Sequence, residues 1–354
     1  MALNPDVWRG RRVLLTGHSG FKGGWLALWL RELGAEVRGY SLAPPAEPTL
    51  WQAARLEEVI AGEFADIRDA QCLAAALTGF APEVVLHLAA QPLVRESYRN
   101  PAQTYATNVM GTVNLLEAVR QAPSVRAVLV VTTDKCYENR EWLWPYREND
   151  PLGGHDPYSA SKACAELVCA SYRRAFLEDA GVALASARAG NVIGGGDFST
   201  DRLLPDVFRA WGAGEEVVLR YPQATRPWQH VLEPLAGYLQ LTQGLLENSQ
   251  EFGGAWNFGP GPDSVVSVQS VVSRLSGLWP QPSRWRVESA GQVHEAGMLA
   301  LDSSQARNRL GWQPRWSLEQ ALAHTVDWQR AWQTGQDMRA FTLQQIERYS
   351  SEAL

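Results

Sequence analysis

Residues 11–34 read RRVLLTGHSGFKGGWLALWLRELG. A short apolar run, 11–17, ends in glycine. Gly17, Gly20 and Gly23 then follow at a spacing of three, and a helical apolar pattern runs from Phe21 to Gly34. Strand, glycine turn and helix in this order predict a βα unit whose backbone N–H groups meet a pyrophosphate at the helix N-terminus. Glycine spacing alone says little; its place at the first strand–turn–helix gives it weight. No Gly-Lys-Ser/Thr follows, so this is not a Walker A loop. Phe21, not glycine, stands two residues after Ser19, so it is not a nucleophile elbow either.

The alternation continues outward. AEVRGYSL (35–42), GEFADI (62–67), PEVVLHLAA (82–90), VRAVLVVTT (125–133) and GVALASARAG (181–190) predict five further strands. Helices are expected near 69–79, over 100–121 with Asn100 as cap and Pro101 first, and over 156–176 with Asp156 and Pro157 in the same roles. Apolar strands alternating with helices predict an α/β, Rossmann-type doubly wound parallel sheet covered on both faces. After about residue 190 the pattern breaks into Gly/Pro-rich loops such as YPQATRPWQ and FGPGPD. With 354 residues, two domains are expected. The first, 1–190, binds a dinucleotide; the second, 191–354, is a smaller α/β substrate-binding unit, some of whose segments are free to return to the first.

Hydrophobic residues make up 45% and charged residues 20%, the composition of a globular chain. A net charge of −6 without a basic tract argues against nucleic acid as partner. No long uncharged apolar run suggests a membrane span, and MALNPDVWRGRR lacks the apolar segment of a signal peptide. The four cysteines have no zinc or Cys-x-x-Cys spacing. No metal is expected, and free thiols fit a cytoplasmic location.

Of 32 Lys+Arg, only Lys22, Lys135 and Lys162 are lysine. Arginine cannot give up its proton, so these three are candidates for work arginine cannot do. Tyr158 and Lys162, in YSASK, lie four apart on one helix face. An ammonium there is expected to lower the phenol's pKa and make a base for a sugar hydroxyl. Lys135 belongs to TTDK at the end of the fifth strand. Lys22 is in the first helical turn, where it meets phosphate or is solvated. The second strand ends GYSL, without an acidic residue for a ribose 2′-hydroxyl. His18 stands where a small residue would bring the backbone closest, which predicts loose cofactor binding. Asp66 is a candidate acceptor for the adenine amino group.

TGHSGFKGGWLALWL, PPAEPTLW, TTDKCYENREW, GGHDPYSASKACAEL, RAGNVIGGGDF and RPWQHVLEPLAGYL together resemble the extended short-chain dehydrogenase/reductase family, and within it the nucleotide-sugar 4,6-dehydratases. The resemblance covers essentially the whole chain. It implies NAD as catalytic cofactor and CDP-D-glucose as substrate, converted to CDP-4-keto-6-deoxy-D-glucose and water. C4 is oxidised, C5 loses a proton, the C6 hydroxyl leaves and hydride returns to C6. It also implies deoxysugar synthesis for surface polysaccharide such as O-antigen, and a homodimer or homotetramer through the helices around 101–121 and 157–176.

By the same resemblance, Thr133 and Tyr158 bond the C4 hydroxyl, and Asp134 protonates the leaving C6 oxygen. Lys135 takes the place of the family's glutamate base, either as a neutral base at C5 or as a cation stabilising the enolate. The cofactor set is Gly17, His18, Gly20, Phe21, Lys22, Gly23, Asp66, Ile67, Leu88, Ala89, Ala90, Asn108, Tyr158 and Lys162, with Asn108 supporting Lys162 through a water. The substrate set is Asn191, Arg202, Leu203 and Leu204, with Arg226 and His230 clamping the diphosphate. Two other readings remain: an epimerase or other dehydratase of this fold, and a non-catalytic NAD-binding protein. An epimerase needs no acid at C6. A non-catalytic protein has no reason to combine Tyr158, Lys162 and the TDK triplet.

Overall fold

The computed structural model describes residues 3–46, 48–288 and 296–352. Twelve strands are described: β1 (Arg12–Thr16), β2 (Glu36–Ser41), β3 (Ala61–Phe64), β4 (Val84–His87), β5 (Ala127–Val131), β6 (Ala183–Ala189), β7 (Asn191–Ile193), β8 (Val217–Leu219), β9 (Thr225–His230), β10 (Gly254–Phe258), β11 (Val265–Ser267) and β12 (Trp285–Val287). Seven form one parallel sheet in the order β10-β6-β5-β4-β1-β2-β3. The chain runs outward from β1 to β3, then returns to the other side of β1 with β4. The resulting crevice between β1 and β4, at the strands' carboxyl ends, is where such sheets bind ligands.

The inner strands are apolar because both their faces are covered. Val13 and Leu15 of β1, Val84 and Leu86 of β4, and Ala127 and Leu129 of β5 pack into one core cluster. The alternate residues Leu14, Val85, Val128 and Val130 pack into a second cluster across the sheet. Each such burial contributes about 1.5–3 kcal/mol before conformational entropy is counted. Helix starts follow local chemistry. The Asp69 carboxylate accepts from the Gln71 and Cys72 amides before the helix Ala70–Phe80, and Asp156 caps the helix Pro157–Tyr172, with proline first.

The remaining strands make a three-stranded sheet, β11-β9-β7, and a parallel pair, β12-β8. The helices Leu203–Gly212, Val268–Leu278 and Leu318–Gln333 pack beside them over a third core cluster. β10, from the second half of the sequence, pairs with β6 at the edge of the main sheet.

The helix expected over 100–121 is divided. Pro101–Tyr105 passes into a π turn, Ala106–Met110, and then into Gly111–Arg120. The helix expected over 156–176 is α-helical only to Tyr172 and ends in a π turn, Arg173–Leu177.

Candidate active site

The glycine loop turns out of β1 with Gly17 at φ +76°. A Cβ on Gly17 would lie 2.7 Å from the Ala89 amide nitrogen, and one on Gly23 would lie 2.0 Å from the Gly17 carbonyl oxygen. Only glycine fits at either place. Gly20 precedes the helix Phe21–Glu32 and presents its N-terminus to a cavity of ≈ 760 Å³. Gly17, Gly20, Phe21, Lys22, Gly23, Asp66, Ile67, Leu88, Ala89, Ala90, Tyr158 and Lys162 line that cavity. A backbone cradle at a helix N-terminus in the sheet's crevice fits a dinucleotide. The Asp66 carboxylate is already paired with the Arg68 guanidinium at 2.5 Å. Ser41 stands at the end of β2 and donates to the Ser19 hydroxyl at 2.8 Å.

Two residues expected in this cavity are not in its wall. The His18 ring is buried beneath the loop, stacked on Phe64 with centroids 5.6 Å apart and edge-on to Trp51 at 4.9 Å. Gly39 makes its room, since a Cβ there would lie 2.2 Å from the imidazole. Burial pushes its pKa down to about 4, against the Tyr40 backbone. An influence of His18 on cofactor affinity therefore has to pass through the loop backbone. Asn108 is also turned inward. Its oxygen accepts from the Gln91 amide at 2.8 Å, and its nitrogen donates to the Gln91 carbonyl at 3.1 Å and to the Ser161 hydroxyl at 2.9 Å. It ties the loop after β4 to the helix Pro157–Tyr172 instead of touching the cavity.

Thr133, Asp134 and Lys135 follow β5, with the Thr133 hydroxyl accepting from the Lys135 amide at 3.3 Å and donating to the Asp134 carboxylate at 3.0 Å. The second Asp134 oxygen has no hydrogen-bond partner among the described residues. Burial pushes the Asp134 pKa up, opposed by Lys135, Thr133, Arg226 and Lys22. The Lys162 amine donates to the Val131 carbonyl at 3.1 Å, and burial pushes it down to about 8 against the Glu166 carboxylate. Tyr158 corrects an expectation. Burial raises its phenol to about 12, and the groups pulling it down are Thr133 and Arg202, with Asp134 acting the other way. The Lys162 amine is bonded to the Val131 carbonyl.

A second cavity, ≈ 280 Å³, opens beside these groups. Thr133, Asp134, Lys135, Tyr158, Asn191, Arg202, Leu203, Leu204 and Arg226 line it, with Trp228. The two cavities share Lys22, Pro92, Leu93, Thr132, Tyr158, Asp197 and Arg202 as walls. Arg202 is held by Asp197 at 3.1 Å. His230 does not reach this cavity. Its ring lies among Trp25, Trp316 and His324, with centroids 5.9, 4.7 and 6.4 Å away. Burial lowers its pKa well below the ordinary value. β9 carries Arg226 and Trp228 past the cavity, and by residue 230 the strand has entered the core.

Sequence reading missed Thr132 and the pair Glu166–Arg188. Thr132 precedes the triplet at the strand's end and walls both cavities. Glu166, one turn after Lys162, accepts from Thr132, from Ser186 at 2.7 Å and from Arg188 at 2.7 Å. Burial alone would raise the Glu166 carboxyl, but Arg188 and these donors hold it below the usual range. Arg188 also donates to the Tyr137 hydroxyl at 2.8 Å and the Glu148 carbonyl at 3.0 Å. The Tyr–Lys–Glu spacing of four, 158–162–166, was the available signal.

Residues 13–253 match the NAD dependent epimerase/dehydratase family, and the chain belongs to it. A CDP-glucose 4,6-dehydratase of Salmonella typhimurium is 48% identical over 354 residues, 99% of this chain and 99% of that one. A dTDP-glucose 4,6-dehydratase of Xanthomonas campestris pv. campestris is 29% identical and covers 89% of this chain and 92% of its own. The solved structure of MoeE5 in complex with UDP-glucose and NAD is 26% identical, with a TM-score of 0.76 over 90% of this chain and 98% of that one.

Proposed function

We propose that this member of the NAD-dependent epimerase/dehydratase family converts CDP-D-glucose to CDP-4-keto-6-deoxy-D-glucose and water. The observation that carries the reading is Asp134, a buried carboxyl with one oxygen unpartnered, in one cavity wall with Tyr158 and Thr133. Hydroxide is a poor leaving group, and a carboxyl whose pKa burial raises is a suitable acid for it. An epimerase has no such need. The identity of 48% to a CDP-glucose 4,6-dehydratase supports the base and the sugar.

The glycine loop, Asp66, Ile67 and Leu88–Ala90 would hold NAD, with Tyr158 and Lys162 at its reactive end. When bound, the cofactor supplies a hydride acceptor and returns the hydride within the turnover. Tyr158 takes the C4 hydroxyl proton, with Thr133 orienting that hydroxyl. A phenol at about 12 needs further positive charge for this, and a bound oxidised nicotinamide adds one. Asp134 gives its proton to the C6 oxygen. Lys135 either removes the C5 proton, with a proton returned to C5 as hydride reaches C6, or stabilises the enolate as a cation. Arg202 and Arg226 are suited to the diphosphate, and Asn191, Leu203 and Leu204 to the nucleotide beyond it.

Oxidation and reduction within one molecule make a test. CDP-glucose deuterated at C4 should give a product carrying the deuterium at C6, detected by NMR. Label lost to water, or retained at C4, contradicts the scheme.

The proposed product places the reaction in deoxysugar synthesis for surface polysaccharide, in the cytoplasm. No helix among the described residues is long and apolar enough to cross a membrane. A homodimer or homotetramer is supported by Met110 and Leu167, 51% and 59% exposed on the helical segments expected to pair.

A further inference from the structure

Lys22 is the lysine to which the scheme above gives no role. It rises from the first turn of the helix Phe21–Glu32 and walls both cavities where they meet. Hydride transfer needs the nicotinamide and the sugar in contact, and the walls common to both cavities mark the place where that can happen. Lys22 stands there with Tyr158, Thr132 and Arg202. Its amine lies 6.0 Å from the centroid of the Tyr238 ring. The charged groups that act on it come from three other segments: Lys162 from the helix Pro157–Tyr172, Asp134 from the turn after β5, and Asp197 and Arg202 from the loop after β7. Of the titratable tyrosines, Tyr238 faces the amine and Tyr158 lines the same two cavities. Three potential cations, Lys22, Lys162 and Arg202, thus face two carboxyls. One of these, Asp197, is already paired with Arg202, and burial favours the neutral form of the other, Asp134.

We propose that Lys22 discriminates between the redox forms of the cofactor, its ammonium disfavouring the cationic oxidised nicotinamide and tolerating the neutral reduced one. The inference rests on the cofactor cavity described above and is separate from the proton transfers assigned to Tyr158, Asp134 and Lys135. Desolvation, with Arg202 and Lys162, pushes the Lys22 amine down to about 7, while Asp134 and Asp197 oppose them. Its charge is therefore adjustable near neutral pH. When the ring loses its positive charge on reduction, Lys22 takes up a proton from solvent. When the ring is reoxidised, Lys22 releases it. Total charge at the junction is conserved. Favouring the reduced form keeps the sugar at its 4-keto stage long enough for the C6 oxygen to leave.

The test is the ratio of dissociation constants, Kd for NAD⁺ over Kd for NADH, measured by tryptophan-fluorescence titration of the full chain and of K22M and K22R. At about pH 6, below the lysine's lowered pKa, K22M should reduce this ratio on the order of tenfold, the equivalent of one pKa unit, while K22R keeps it. The gap between wild type and K22M should close as pH rises through about 7, and the gap between K22R and K22M should persist. An unchanged ratio in K22M overturns the inference. Equal weakening of both forms also overturns it and marks a phosphate-binding lysine. If K22M does not fold, K22R against wild type at about pH 8.5 decides, where the lysine is mostly neutral and arginine is not. A higher ratio in K22R supports the inference and an equal one overturns it. If wild type binds neither form, the cofactor assignment itself falls, and the inference with it.

Discussion

At the scale of the residue, the chemistry turns on Asp134 and Lys135. Asp134→Asn keeps the shape of the acid and removes its proton. It should slow water loss about 10²–10⁴-fold, the usual contribution of a general acid. C4 oxidation should survive, seen as a build-up of reduced-cofactor absorbance. Loss of both steps together would instead mark Asp134 as structural. Lys135→Arg preserves charge but cannot act as a base. Retained dehydration in that variant assigns Lys135 to enolate stabilisation, and its loss with binding intact assigns it to proton removal. TTDK and the Tyr158–Lys162 pair were legible because their geometry is local, a strand end and one helical turn. The histidines were not. Whether an imidazole faces a cavity or the core is decided by what packs on it from afar. For His18 that is Gly39, Trp51 and Phe64; for His230 it is Trp25, Trp316 and His324.

At the scale of the element, the helix Pro157–Tyr172 organises the site. Tyr158, Lys162 and Glu166 recur every fourth residue and meet, in turn, Thr133, the β5 carbonyl of Val131, and Arg188 of β6. The π turn Ala106–Met110 brings Asn108 to the same helix through Ser161. Asn108→Ala would leave the Gln91 amide and carbonyl without these partners in a mostly buried place. A cost of roughly 1–3 kcal/mol is expected, read from urea denaturation. An unchanged midpoint would show that this bridge stabilises nothing. The inner strands β1, β4, β5 and β6 were legible because a sheet covered on both faces demands continuous apolar runs. The π turn was not, because an extra residue in a helical turn leaves the apolar spacing nearly unchanged. Asn108, within that turn, bonds a partner 53 residues away.

At the scale of the whole molecule, buried histidines contribute to the acid limit of stability. Burial lowers His18 to about 4 and His87 to about 3, against an ordinary value of 6.5. In the unfolded chain they bind protons first, so the stability present above pH 6.5 is lost as pH falls from there toward the folded values. Glu233, raised by burial to about 7, acts oppositely: its contribution is present below its ordinary 4.5 and fades as pH rises through about 7. Thermal denaturation followed from about pH 7 down to about pH 4.5 should show Tm falling, with a shallower fall in His18→Leu. The same slope in that variant would contradict the assignment of His18 as a neutral core residue. The parallel sheet and the glycine turn after its first strand were legible from alternating apolar runs and helices; the order that opens the crevice between β1 and β4 was not. The nucleotide base was not, because no residue pattern in the sequence distinguishes cytosine from another base.

The most direct test of the account is mass spectrometry of CDP-glucose after incubation with the protein and NAD⁺, with dTDP-glucose, UDP-glucose and GDP-mannose run in parallel. Loss of one water is expected from the CDP sugar and from none of the others. Loss of water from a different nucleotide sugar would contradict the substrate, and no mass change in any of them would contradict the dehydratase itself.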